Sequence, residues 1–185
     1  MAHRLCPWWL GYFLANPMRR IWQEPRVILA PFVSEGMLVL EPGCGMGFFT
    51  IELARLVGPH GKVLAMDVQP KMLTGLQRRA RRAGMDSRIE ARVTAEGTLK
   101  VEDVAGAVDF ALAFAVVHEL PDQSRFFAET YSALKNGGRL LLAEPKGHVT
   151  EAQFAATRQA AERAGFRFTA GPAIRWSRTA VLERR

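Results

Sequence analysis

Three sets of residues in this 185-residue chain have the types and spacing to do chemistry. The first is Glu41-Pro42-Gly43-Cys44-Gly45-Met46-Gly47, an acid followed by three alternate glycines directly behind the apolar run Leu38-Val39-Leu40. Glycines take positive φ and carry no Cβ, so a backbone of this composition turns tightly and lies close against a bound molecule. Glu41 puts a negative charge where that molecule arrives, which repels a diphosphate and welcomes a ligand bearing an amino cation. The second is Asp67, 20 residues beyond Gly47, where a carboxylate accepts hydrogen bonds from the two hydroxyls of a ribose. Read alone, Asp67 is equally a helix-capping residue. The third is His118-Glu119, with His148 and Glu144 as further candidates on the substrate side. A histidine titrates near neutral pH and suits a general base, although it can also shape a pocket without moving a proton. Glu119 either orients that imidazole or faces solvent. His3 and His60 read as surface or loop residues. No two histidines have metal-ligand spacing, so no metal is expected.

These residues need elements that bring them to one edge of a sheet. From Gly36 onward short apolar runs alternate with helical patterns, the signature of an α/β fold with a parallel sheet. The expected strands are Met37 to Glu41, Lys62 to Asp67, Arg88 to Val93, the almost wholly apolar Val108 to Val116, and Arg139 to Ala143. Helices are expected from about Phe48 to Val57, from Pro70 to Ala83 with Gly84 as the stop, from Pro121-Asp122 to a turn at Asn136-Gly137-Gly138, and from the N-cap Thr150 to about Ala164. Phe166 to Thr169 and Trp176 to Leu182 read as a last, antiparallel pair around Gly171-Pro172. The whole is a Rossmann-like, seven-stranded, mostly parallel sheet flanked by helices. In such sheets ligands settle at the carboxyl ends of the strands, where the glycine loop, Asp67 and His118 all fall.

Composition restricts the alternatives. Apolar residues make up 49% and charged residues 23%, which suits a globular chain without long disorder. Cys6 and Cys44 are too few for a disulfide framework, and a reducing cytoplasm is the expected compartment. The net charge of +7 favours anionic partners, with its densest group at Arg78, Arg79, Arg81 and Arg82 on one helix. That group reads as a solvated helix face or as a phosphate-binding footprint. Residues 1–35 read as an N-terminal helical arm. Its Trp8, Trp9 and Phe13 form a run far shorter than the roughly 20 residues a spanning helix needs. The arm packs on the domain, closes over a pocket as a lid, or lies on a membrane surface with Arg19 and Arg20 toward head groups.

From Met37 to its end the chain resembles the class I S-adenosylmethionine-dependent methyltransferases, and within them the small-molecule group that includes quinone C-methyltransferases and arsenite methyltransferases. Residues 36–185 are then the cofactor-binding domain. The resemblance implies that the first motif, with Glu41, Gly43, Cys44, Gly45 and Gly47, holds the methionine part of S-adenosylmethionine. It implies that Asp67, followed by Val68 and Met72, takes the ribose side, and that Phe114 and His118 end the fourth strand beside the methyl group, with His118 as catalytic base. One departure stands at the adenine contact, where the family has an acid and this chain has Ala95; Glu96 serves with a one-residue shift, or backbone groups act alone. The implied acceptor is a small apolar or aromatic molecule. Arsenite is disfavoured by the scarcity of cysteine, and nucleic acid by the missing Asn-Pro-Pro-aromatic signature. Two other readings remain, a catalytically silent cofactor-binding regulator and an RNA methyltransferase using the Arg78 to Arg82 helix.

Overall fold

A computed structural model describes residues 16–185 as two compact units, the first ending at Thr94 and the second comprising Ala95–Arg185. His3, Cys6, Trp8, Trp9 and Phe13, on which the expectation of a lid or membrane-facing arm rests, lie outside the described residues. The sheet has seven strands, in the spatial order Ile89–Val93, Lys62–Asp67, Leu38–Pro42, Val108–Phe114, Leu134–Pro145, Ser177–Glu183 and Arg167–Ala170.

In the first unit a 3-10 turn, Pro17–Ile21, and a short helix α1, Pro25–Leu29, precede β1, Leu38–Pro42. Then come α2, Thr50–Leu56, β2, Lys62–Asp67, α3, Pro70–Ala83, and β3, Ile89–Val93. β1 and β2 are parallel with Pro42 beside Met66, and β2 and β3 are parallel with Asp67 beside Val93. This flush register lets the glycine loop and Asp67 leave the sheet at the same edge. α3 has the bounds its sequence dictates, because Pro70 is preorganised for a first turn and Gly84 accepts the left-handed conformation, φ 66, that ends it. Its apolar stripe, Leu73, Leu76 and Ala80, packs with Cys44, Ile51 and Ala65 into one buried cluster.

The second unit runs through β4, Val108–Phe114, a 3-10 turn Val117–Glu119, α4, Gln123–Ala133, β5, Leu134–Pro145, α5, Glu151–Arg163, β6, Arg167–Ala170, and β7, Ser177–Glu183. Phe110, Ala111, Leu112 and Ala113 of β4 and Leu140 to Ala143 of β5 are all buried, as expected of central strands covered on both faces. Thr150 caps α5 through a full capping box with Gln153.

Three expectations are corrected here. β4 stops at Phe114 rather than Val116, because Ala115 adopts φ 57 and turns the chain out of the sheet. β5 begins at Leu134 rather than Arg139, since Asn136-Gly137-Gly138 is drawn into pairing by Gly137 N–H donating to Arg184 O and Arg184 N–H donating to Gly138 O. β7 is antiparallel to β5 as well as to β6, so the reversed strand is inserted between the two rather than paired with β6 alone.

Candidate functional site

The first unit carries the glycine loop. Gly43, Gly45 and Gly47 have φ of 68, 53 and 80, so the conformation that made glycine necessary is adopted at all three. The loop is held by Cys44 N–H donating to Met66 O at 2.9 Å and Gly47 N–H donating to Cys44 O at 3.0 Å. A Cβ on Gly47 would stand 2.3 Å from Leu76 Cδ1, whereas one on Gly45 would meet nothing within 4 Å. Gly47 is therefore glycine for packing, and Gly45 borders open space.

Glu41 is 4% exposed and its Oε2 has no hydrogen-bond partner. Burial pushes its carboxyl up to about 8; Thr50 opposes this and the charge of Asp67 adds to it. The Thr50 hydroxyl is near enough to favour the ionised form, yet Oγ1 too is without a geometrically sound hydrogen bond, so the contact does not satisfy either atom. Asp67 is also buried. Its Oδ2 accepts from Gly45 N–H at 3.0 Å and its Oδ1 from Gln69 N–H at 2.8 Å. Asp67 does not cap α3, whose N-cap is Gln69 without a side-chain cap bond; its side chain instead ties the glycine loop to the residue before the helix. Burial raises its pKa, and the backbone donors of Gln69, Gly45 and Val68 oppose the rise. Met72 is buried in the first turn of α3, and Val68 is half-buried between Asp67 and the helix.

Arg79 reaches the glycine loop, a contact that its sequence context conceals. Its Nη1 donates to Met46 O at 2.8 Å, pinning the glycine loop from α3. The basic cluster is consequently divided, with Arg78, Arg81 and Arg82 exposed and Arg79 turned inward. Arg19 approaches the loop from the N-terminal 3-10 turn, with its guanidinium 4.4 Å from the Phe48 ring centroid, and burial lowers its pKa to about 10.

The second unit carries the histidine. His118 occupies the 3-10 turn just beyond β4, and its Nδ1 is hydrogen-bonded to Glu144 Oε2. Glu144 lies at the end of β5, only 1% exposed, and its Oε1 accepts from Val117 N–H at 2.8 Å. Glu119 Oε1 is 4.0 Å from the other ring nitrogen, Nε2, and the His148 ring stands edge-on at 5.6 Å. Burial pulls the His118 pKa down, but the Glu144 hydrogen bond and the charges of Glu144 and Glu119 outweigh it, and the net direction is up. Phe114 is half-buried at the end of β4. Ala95 and Glu96 are exposed in a turn after β3, with Ala95 O accepting from Thr98 N–H at 3.3 Å. Among the described residues no group of three His, Cys, Asp or Glu is arranged to hold a metal, and no helix is long and apolar enough to cross a membrane.

A mostly parallel sheet with an acid and a glycine loop at the end of its first strand, an acid closing its second and a histidine just beyond its fourth is a Rossmann-like arrangement that suits a methyltransferase domain. Residues 33–174 match a family of methyltransferase domains, and the chain belongs to that family. It is 30% identical over 112 residues to an arsenite methyltransferase of Halobacterium salinarum, covering 60% of this chain and 28% of the relative. It is 27% identical over 132 residues to the ubiquinone/menaquinone biosynthesis C-methyltransferase UbiE of Marinomonas, covering 71% and 51% respectively. The chain thus spans between about a quarter and a half of these curated relatives. In fold it matches a SAM-dependent methyltransferase from Aquifex aeolicus with a TM-score of 0.85 at 24% identity, over 97% of this chain and 98% of that one. The cofactor of the family is S-adenosylmethionine. The residues fit it on two counts, since Glu41 Oε2 is a buried acceptor awaiting a donor and Gly45 leaves open the space that a side chain would fill.

Proposed function

We propose that this chain transfers a methyl group from S-adenosylmethionine to a small acceptor whose nucleophilic atom gives up a proton to His118. The observation that carries the reading is the buried Glu41 Oε2, which has no hydrogen-bond partner and stands at the end of β1, directly before three left-handed glycines. An ammonium group satisfies such an acceptor and a phosphate does not. In this reading Glu41 and the loop amides hold the aminoacyl end, Asp67 faces the ribose hydroxyls with the lone pairs its backbone bonds leave over, and Val68 and Met72 complete what the first unit contributes. When bound, the cofactor supplies a methyl group on a sulfonium, which is already an excellent leaving group. The protein then needs to orient the acceptor, exclude water and accept a proton. His118 accepts it at Nε2, because Nδ1 is engaged by Glu144.

The acceptor class follows from what is near. The relatives' names point to quinones and to arsenite. Arsenic(III) favours soft thiolate ligands, and Cys44, the cysteine among the described residues, is buried with its thiol pKa pushed well up by burial and by Glu41 and Asp67. A phenol, enol or other proton-bearing acceptor suits the histidine better. The RNA reading loses support because Arg79 is spent on Met46 O.

Titration calorimetry with S-adenosylmethionine and S-adenosylhomocysteine tests the cofactor. We expect saturable binding of both, and absence of heat with either at millimolar ligand ends the proposal. Binding without methyl transfer to any member of a phenol, enol, thiol and arsenite panel instead identifies a silent cofactor-binding protein.

A further inference from the structure

We propose that Glu144 is the positioning residue of His118, one carboxylate fixing both the turn that carries the imidazole and the tautomer in which Nε2 is the proton acceptor. This inference rests on the reading of His118 as a base. Glu119 is adjacent in sequence and is the obvious candidate for orienting the ring, yet it stands 4.0 Å from Nε2, while Glu144 engages Nδ1 directly. The two oxygens of Glu144 do separate things. Oε1 accepts from Val117 N–H at 2.8 Å and so anchors the 3-10 turn, and Oε2 faces Nδ1 of the next residue.

The backbone is shaped for this arrangement. β4 and β5 run parallel with Phe114 beside Ala143, so Glu144 is one residue beyond the last pair of the ladder. Ala115 takes φ 57 and donates its N–H to Ala143 O at 2.7 Å, which turns the chain back over the end of β5. A left-handed alanine costs on the order of 1 kcal/mol, and the turn it makes delivers Val117 and His118 to one carboxylate. Gln123 Nε2 donates to Val117 O at 3.2 Å and is itself held by Thr157, which steadies the turn from α4 and α5.

The chemistry of the pair follows from donors and acceptors. A carboxylate offers only lone pairs, so the proton of a neutral imidazole belongs on Nδ1 and the lone pair on Nε2. When Nε2 takes a proton from the acceptor, both ring nitrogens carry N–H and the positive charge faces Glu144, whose charge offsets it. Among the described residues, the other charged or titratable groups around the pair include Glu119, the edge-on His148, and Arg178, which is opposite Glu144 in the β5–β7 ladder and donates to Glu151 at 3.0 Å.

The discriminating substitution is Glu144→Gln. The amide oxygen can still accept from Val117 N–H, but the amide nitrogen then faces Nδ1 as a donor, which drives the ring proton to Nε2. Nitrogen-15 NMR of the imidazoles in the full chain without cofactor reads this directly. We expect wild type to hold His118 with Nδ1 protonated, and E144Q to hold it with Nε2 protonated and a pKa below the wild-type value. S-adenosylhomocysteine affinity should be unchanged, and E119Q should keep the wild-type tautomer. An Nε2-protonated ring in wild type, or an unchanged tautomer in E144Q, overturns the proposal. Glu144→Asp covers the case in which the amide fails to fold, because a shorter carboxylate must still keep the proton on Nδ1. With a working acceptor, E144Q should lose about 10²-fold in turnover, and adding H118A should cost little more. Full turnover by H118A alone would remove the base reading of His118 while leaving the tautomer result standing, so the two failures are distinguishable.

Discussion

Glu41 presents an energetic problem at the level of one residue. An ionised carboxylate without a partner in a buried site costs several kcal/mol, and a protein escapes that cost by keeping the group protonated. With its carboxyl pushed up to about 8, Glu41 is mostly neutral at pH 7 in the free protein. A bound ammonium reverses the preference, because an opposite charge at hydrogen-bond distance favours the carboxylate. Binding of S-adenosylmethionine near pH 7 is therefore expected to release up to one proton. Calorimetry in buffers of different ionisation enthalpy measures that number, and Glu41→Gln should abolish the release and weaken binding. Net proton uptake in wild type contradicts this account. The same residue shows where sequence reading stops, since the acid at the strand end was visible from its neighbours while the unbonded state of its Oε2 depends on burial and on the position of Thr50.

At the scale of the element, the glycine loop separates two kinds of glycine that look identical in sequence. Gly47→Ala places a methyl group against Leu76 in a left-handed backbone, and the two penalties together should cost roughly 2–4 kcal/mol of stability. Gly45→Ala meets open space and should cost only about 1 kcal/mol, from the backbone alone. Its methyl group enters the space assigned to the ligand, so it should lower cofactor affinity by about tenfold or more while the protein stays folded. Denaturant unfolding and calorimetry on the two variants separate these effects, and equal stability losses would refute the distinction. Elements bounded by strong local signals were legible in the sequence: α3 between Pro70 and Gly84, β2 ending at Asp67, α5 capped by Thr150. What was hidden depended on partners distant in sequence. Nothing in Ala115 announces a left-handed residue, Asn136-Gly137-Gly138 reads as a plain turn until Arg184 pairs with it, and Arg79 is indistinguishable from its exposed neighbours until α3 meets the loop. The same holds for Glu144 and His118, whose contact exists only because β5 runs past the last β4–β5 pair, Phe114 beside Ala143, to the turn that follows β4.

For the whole molecule, the buried titratable groups set a stability profile with a definite direction. Glu41 and Asp67 have folded-state pKa values above their unfolded ones, which lie near 4, as has His118 relative to about 6.5. Groups raised on folding contribute stability that is complete below the unfolded pKa and is lost as pH climbs through the folded one. All three therefore erode stability on the alkaline side, Glu41 through about 8 and His118 above about 6.5. Glu129 acts oppositely: burial favours its neutral form, but donors from Leu99, Arg125 and Thr98 win and lower its pKa. Its contribution is present above about 4.3 and is lost as pH falls. A net charge of +7 grows further in acid and adds repulsion there. Thermal unfolding should accordingly be most favourable to the folded state at about pH 4–5 and should decline from there toward about pH 8. Saturating S-adenosylhomocysteine should flatten the alkaline limb, because its ammonium lets Glu41 ionise without leaving the fold, and Glu41→Gln should flatten that limb without ligand. A melting temperature that holds level from pH 6 to 9 in wild type would show that these carboxyls ionise in the folded protein as easily as in water, and the electrostatic basis for the cofactor site would fall with it.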